Sequence, residues 1–404
     1  MTVQAETIPT MSSPSSMPLR HYFHPPAIAA GFTAVLIGYS GSAVIIFQAA
    51  MAAGASVEQF ASWMMVLGFG MGLTSIGLSW HYKMPIITAW STPGAALLVT
   101  SLGDISLAEA IGAFMFSAVL ITLSGVTGWF ERIMARIPLP LAAAMLAGIL
   151  FQFGIDAFTS MQTRLGLVLA MFVVYLAAKI LIPRYTIIFV LAAGLALCQW
   201  QGLLEFSQVS LSFAAPQLLT PEFSFSALIG VGIPLFVVTM VSQNIPGIAV
   251  LRTAGYTAPI SPIISWTGIT TLLIAPFGGF AINLAAITAA ICTGPEAHAD
   301  ADKRYIAGLS TGVCYLLLGL FSSLIASLFS AFPGEFVLAL AGLALLSTIA
   351  NSLYTAVSDD AAREAAVITF VVTASGLTLF GIGAAFWGLV AGVISYFVFT
   401  KIKT

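Results

Sequence analysis

From Pro25 to Thr400, apolar runs long enough to cross a bilayer follow one another with only short polar breaks between them. Such a chain cannot leave backbone N–H and C=O groups facing lipid, so each run must be helical or be shielded by its neighbours. Charged residues make up 7% of the 404 and hydrophobic ones 59%, against roughly 25% charge in soluble domains. The apolar surplus therefore faces lipid or other spans, and the expected class is an all-α polytopic membrane protein. A net charge of -2 carries no signal for a nucleic-acid partner.

Residues 1–24 are Ser/Pro-rich and read as a disordered cytoplasmic tail; the first apolar run, Pro25 to Met51, is too long for a signal-peptide core. Cys198, Cys292 and Cys314 lie in apolar surroundings without CxxC spacing and read as inert thiols. Fourteen candidate spans start near Pro26, Val57, Met84, Leu107, Leu139, Thr163, Arg184, Ser226, Ile260, Gly278, Lys303, Pro333, Ala361 and Ala384. Charge tests that count, because cytoplasmic ends collect Lys and Arg. With the N-terminus inside and spans alternating, Arg20, Lys83, Arg132, Arg136, Lys179, Arg184, Arg252, Lys303, Arg304, Arg363, Lys401 and Lys403 all fall on the cytoplasmic side, and only Arg164 falls outside. One missed span would invert everything beyond it. The expected localisation is a bacterial inner membrane with both termini cytoplasmic. The extracytoplasmic connection 203–225 splits the chain into two seven-span halves, 25–202 and 226–404, and repeats of odd span number must be inverted relative to one another.

Two spans are interrupted. In IITAWSTPGAALL (86–98) an extended piece, Ile86 to Trp90, precedes Pro93-Gly94, and only then does a helical run begin. In FGGFAINLAAITAAICTG (277–294) the pair Gly278-Gly279 precedes an extended Phe280 to Asn283 and an Ala-rich run. Ser91 and Thr92 are suited to cap the first half-helix, with Pro93 in its first turn, and Asn283 to cap the second. With the third span rising and the tenth descending, both half-helices start at mid-membrane. Each N-terminus presents unsatisfied N–H groups and roughly half a positive charge. Paired interruptions in two halves point to a transporter's binding site, and this one would hold an anion without a buried cation, which costs roughly 2.5–3.5 kcal/mol or more at mid-membrane. Plain kinks in ordinary helices are the alternative.

At these residues the chain resembles a known family. AWSTPGAALL (89–98), SQNIPGIAVLR (242–252) and GGFAINLAAITAAICTGPEAHADADKRYIAG (278–308) are similar to the bacterial benzoate/proton symporters of the BenE family, and the likeness runs from Tyr22 to Lys401. That family is similar in turn to uracil and xanthine permeases and anion exchangers. The resemblance implies two inverted seven-span repeats with short strands in spans 3 and 10. It implies a core of spans 1–4 and 8–11 (about 26–131 and 226–331) and a gate of spans 5–7 and 12–14 (about 139–202 and 333–402), with substrate between them. The uracil-type relatives carry carboxylates in spans 8 and 10, whereas here those neighbourhoods read Gln243-Asn244 and Ile282-Asn283. An amide can donate to an acid substrate that a carboxylate would repel.

The expected substrate-binding residues are Asn283, Gln243, Asn244, Ser91, Thr92, Trp90, Gln48, Tyr39, Phe280 and Leu284, with Ser40 and Ser42 nearby and the aromatic rings forming an apolar slot. Interhelical hydrogen bonding is the alternative role for the amides, and core or lipid packing for the aromatics. Glu296 and His298 are the candidates for proton coupling, although Glu296 lies about 20 Å of helix beyond Asn283, and a solvated loop is the simpler reading. Gly68/Gly72, Gly308/Gly312 and Gly388/Gly392 are read as close-packing pairs. No metal-ligand spacing, cofactor motif, nucleotide-binding motif or nucleophile set stands out, which argues against an enzyme. The expected function is secondary import of benzoate or a similar aromatic carboxylate with a proton, by movement of core against gate. The alternatives are a nucleobase symporter, whose mark would be acids at 243, 244 or 283, and an anion channel. The expected partners are the aromatic acid, the proton and the lipid bilayer, and a homo-oligomer is compatible with the sequence.

Overall fold

A computed structural model describes residues 24–103, 105–129, 138–204, 213–380 and 382–402. Expectations resting on residues 1–23, Arg132, Arg136, residues 205–212 of the connection and Lys403, or on the Lys401 side chain, lie outside the described residues. The first half runs α1 (Pro25–Ala52), α2 (Val57–Tyr82), β1 (Thr88–Trp90), α3 (Thr92–Ser101), α4 (Leu107–Val126), α5 (Leu139–Thr159), α6 (Met161–Leu181) and α7 (Thr186–Trp200). The second runs α8 (Phe225–Thr253), α9 (Ile260–Ile274), β2 (Ile282–Leu284), α10 (Ile287–Thr293), α11 (Tyr305–Leu320), α12 (Ser322–Ser330), α13 (Gly334–Val357), α14 (Arg363–Ala374) and α15 (Ala384–Ile402).

Local chemistry explains several of these ends. Ser56 and Ser106 open α2 and α4 with capping boxes closed by Gln59 and Glu109. The chain leaves α2 through Lys83, held at φ 53°, and turns into the strand. Nine helices among the described residues are long and apolar enough to cross a membrane, and a tenth if α11 and α12, bent by 62°, are taken as one. Elements stand near all fourteen expected starts; the two strand-containing ones and α14, of 12 residues, are too short as single helices to enter that count.

The interrupted spans meet. β1 pairs antiparallel with β2 in the register Thr88↔Leu284, Ala89↔Asn283, Trp90↔Ile282, extended by Ser91 N–H to Ala281 O (3.0 Å) and Ala285 N–H to Ile87 O (2.9 Å). A two-stranded ribbon leaves donors unpaired on both outer edges, and in an apolar interior each is costly. Side chains from flanking helices take them up. On the β1 edge Thr88 N–H donates to Ser75 Oγ at 3.0 Å, Trp90 N–H to Met71 Sδ at 3.0 Å, and Ser79 both accepts from Ile86 N–H and donates to Ile86 O. On the β2 edge Ile282 N–H donates to Thr271 Oγ1 and Leu284 N–H to Asn244 Oδ1, each at 2.9 Å. Broken backbone is thus tolerated here because α2, α8 and α9 form a hydrogen-bonding sleeve around it.

Packing follows a reciprocal pattern: α2 lies on α11 and α4 on α9, α5 packs on α13 and α14, α6 on α7, and α14 on α15. The α2–α11 crossing needs its glycines, since a Cβ on Gly68 would lie 2.8 Å from Gly319 Cα and one on Gly72 2.8 Å from Gly312 O. Gly388 and Gly392 of α15 similarly meet Thr373 and Thr369 of α14. Trp63, Phe114 and Phe280 form a buried aromatic cluster behind the ribbon. Cys198 and Cys292 are buried and Cys314 half-buried, all as free thiols.

Candidate functional site

The two half-helices start at opposite ends of the ribbon, α3 directly after β1 and α10 shortly after β2, so their N-termini face one another across its length. Between them lies a cavity of about 600 Å³, within the roughly 300–1,000 Å³ of small-molecule sites. One wall is Gly38, Gly41 and Ser42 of α1, Trp90 and Thr92 of the third-span break, Ser242 and Gln243 of α8, Ile287 and Thr288 of α10, and Tyr315 of α11. The opposite wall is Ala142 and Leu146 of α5 and Thr348, Asn351, Ser352 and Thr355 of α13. Among the described residues that line it there is no Lys, Arg, His, Asp or Glu.

The two N-termini are not equivalent donors. Ser91 caps α3, its Oγ accepting from Gly94 N–H at 3.0 Å, while its own N–H is held by the ribbon and Pro93 has none. That leaves the Thr92 N–H and hydroxyl as what α3 offers. No side chain caps α10, which starts from Ala286 in helical conformation, so its first N–H groups have no side-chain acceptor. Thr288, in that first turn, is buried, and its hydroxyl has no hydrogen-bond partner. The Tyr315 hydroxyl lies beside it and is the nearest group it could pair with.

Of the residues expected from sequence, Trp90, Thr92 and Gln243 line the cavity, as does Ser42. Trp90 is fixed there: its indole N–H donates to Ser42 Oγ at 2.8 Å, and its ring lies 4.7 Å from that of Tyr39. Tyr39 itself sits behind Trp90, buried, with an unpartnered hydroxyl. The other expected contacts stand back from the cavity. Asn283 does not cap α10; it lies in mid-strand opposite Ala89, its Nδ2 donating to Ala281 O at 3.0 Å and its Oδ1 buried without a partner. The reason is the register, which places Leu284, Ala285 and Ala286 between Asn283 and the first helical turn. Asn244 turns away from its neighbour Gln243 to hold Leu284 N–H, and its Nδ2 meets Met240 Sδ. A π-helical turn at Met240–Asn244 divides the two amides between cavity and ribbon; such one-residue insertions recur at functional sites. Ser91 is spent on its cap, Phe280 on the aromatic cluster, and Leu284 is buried against Gly247. Gln48 reaches across to the Val337 carbonyl of α13 at 3.4 Å.

Glu296 and His298 lie beyond the end of α10. Glu296 is exposed and pairs with Arg184 at 3.6 Å. The His298 ring packs against that of His24, tilted by 43° with centroids 4.1 Å apart, and its Nδ1 accepts from Asp300 N–H. Ser40 faces a second cavity with Glu296.

Sequence reasoning missed Thr288, Tyr315 and the polar stripe on α13. The stripe had a signal: Thr348, Asn351, Ser352 and Thr355 recur at three- and four-residue spacing on one face of an otherwise apolar helix.

A polytopic helical bundle with a cavity at an antiparallel pair of broken spans defines the class as a membrane transporter. The fold matches SLC26A9, with TM-score 0.65 at 14% identity over 94% of this chain and 66% of that one. It also matches the transmembrane domain of the cyanobacterial bicarbonate transporter BicA, with TM-score 0.61 at 12% identity over 93% and 98%. Within that class, the model of the benzoate membrane transport protein family, BenE, matches residues 21–398, and the chain belongs to that family. It is 51% identical over 378 residues to the inner membrane protein YdcO of Escherichia coli K12, covering 94% of this chain and 97% of that protein. To the benzoate membrane transport protein of Acinetobacter baylyi it is 43% identical over 377 residues, covering 93% and 96%.

Proposed function

We propose that this transporter imports benzoate or a similar aromatic carboxylate together with a proton, across a bacterial inner membrane in which both chain termini are cytoplasmic. The observation that carries this reading is the uncharged cavity between two half-helix N-termini. It offers backbone N–H groups of α10, the Thr92 N–H and the Thr288 and Gln243 donors to a carboxylate, and the Trp90 ring with apolar walls to an aromatic body. Preorganised dipoles in a low-dielectric site attract an anion strongly without the desolvation cost of a buried cation. Gln243, Thr92 and Trp90 are assigned to substrate, and Asn283, Asn244, Ser91, Phe280, Leu284, Tyr39 and Gln48 to holding the surfaces that carry them.

We read all fourteen elements as spans in two inverted repeats. The packing supports this: shifting span numbers by seven turns the α2–α11 pair into the α9–α4 pair, and leaves the strand pair and the α5–α13 pair unchanged. The cavity walls divide between the proposed core (26–131 and 226–331) and gate (139–202 and 333–402), so relative movement of the two would carry the site across the bilayer. A nucleobase symporter is disfavoured by the amides at 243, 244 and 283, and saturable uptake separates a carrier from an anion channel on the same fold. Uptake into proteoliposomes under an imposed pH gradient tests the reading. Saturable benzoate uptake driven by an acidic exterior is expected; preference for uracil or for a non-aromatic acid overturns the substrate assignment.

A further inference from the structure

A second cavity, also of about 600 Å³, shares Ile37, Ile187, Ile287 and Ala344 with the first, so the two are contiguous. Their chemistry differs. The second keeps apolar walls such as Ile291 and Leu343 but is also lined by Lys179, in the last turn of α6, and Arg184, in the short turn Pro183–Tyr185 that leads into α7. Glu296, just beyond the end of α10, is the one carboxylate lining it among the described residues. Two cations against one carboxylate leave the compartment one anion short of neutrality.

Glu296 is a loosely held counter-ion. Its contact with Arg184 is 3.6 Å, longer than a charge-assisted hydrogen bond of roughly 2.7–2.9 Å, and both side chains are exposed, Glu296 by 83%. Among the described residues, Lys179 Nζ donates to the neutral Ser347 hydroxyl, at 2.9 Å, and to no carboxylate. A carboxylate on an apolar ring matches this compartment, because the walls accept the ring while Lys179 and Arg184 face the charge. The pair also spans the proposed domain boundary, with Arg184 beside α7 of the gate and Glu296 after α10 of the core.

We propose that this vestibule is a second, weaker binding site for an aromatic carboxylate, in which the ligand's carboxylate displaces Glu296 from Arg184. It rests on the functional reading above. Substrate leaving the dipole-lined cavity passes into a compartment that matches its charge, and by releasing Glu296 it unties the core from the gate at the cytoplasmic mouth. Surface-level cations hold anions weakly and in a salt-dependent way, which suits a station on an exit path.

Equilibrium dialysis of labelled benzoate against the purified full-length chain tests this, using wild type, Lys179→Gln, Arg184→Gln and Glu296→Gln at low and high salt. Two classes of sites are expected. Arg184→Gln and Lys179→Gln weaken the looser class about fivefold, and Glu296→Gln tightens it by a similar factor. High salt weakens that class, and the tighter class is unchanged throughout. The opposite signs are the discriminating feature, because an ion pair that serves only to tie the fold together would respond alike to loss of either partner. A tight class with no looser one, or the same change in Arg184→Gln and Glu296→Gln, overturns the vestibule site alone. Absence of any benzoate binding in wild type overturns the functional reading with it.

Discussion

Thr288→Val isolates the cavity's chemistry from the fold. The Thr288 hydroxyl is buried with no well-formed hydrogen bond, only the Tyr315 hydroxyl beside it, and an unmet buried polar group costs about 1–3 kcal/mol. Valine keeps the shape of the side chain and removes that cost, so the ligand-free protein should melt at an equal or higher temperature. On the proposed reading, the same hydroxyl turns to donate to a bound carboxylate alongside the first N–H groups of α10. A hydrogen bond to a charged group contributes about 1.5–3 kcal/mol, which corresponds to a rise in Kd of roughly 10- to 150-fold on its removal. The assay is thermal melting in detergent with and without benzoate, together with a direct Kd. Empty-state stability should rise or hold while the ligand-induced shift shrinks, since that shift follows RT ln(1 + [L]/Kd). A fall in empty-state stability with unchanged Kd would show that the hydroxyl serves the fold, and the assignment of α10's N-terminus to substrate would fail.

Gln243→Ala should raise the benzoate Kd about tenfold, the scale of one donor to a charged acceptor, whereas Asn283→Ala should change it less because its amide is turned onto Ala281 O; equal effects in a binding titration would contradict that ranking. Asn244→Ala strands the Leu284 N–H in the interior and should cost about 1–3 kcal/mol of stability, read as a lower melting temperature with Gln243 still in place. Gly278→Ala should abolish folded expression, because Gly278 sits at φ 92° and a Cβ there would overlap the Trp63 ring. His24 is held below the usual histidine range by burial, with His298 and Lys303 adding to the effect. The folded state therefore favours its neutral form, its contribution is complete above the ordinary histidine pKa of about 6.5, and it is lost as pH falls through the depressed value. His24→Gln should flatten the decline in melting temperature between neutral and mildly acidic pH.

The membrane class, the element positions and the two breaks were legible because they rest on local chemistry: apolar runs, Pro93-Gly94, Gly278-Gly279 and the glycine pairs at helix crossings. Ser91 was readable as a cap for the same reason. Asn283 was misplaced because a good capping residue and a strand residue look alike until the partner strand sets the register. The roles of Gln243 and Asn244 could not be separated on paper, since an ordinary helix sets adjacent residues about 100° apart, and only the π-helical turn assigns one to the cavity and the other to the ribbon. Thr288 was one hydroxyl among many, and its meaning depends on the packing that leaves it without a partner.

The central claim is that opposed half-helix N-termini, with neutral donors, hold an anionic substrate without a cation. A structure of the protein with benzoate bound at low concentration tests it most directly. The carboxylate should lie between Thr92 and the first turn of α10, within hydrogen-bond distance of Thr288 and of backbone N–H groups, with the ring against Trp90. A carboxylate found only against a lysine or arginine, with the space between the two N-termini empty, would contradict the account.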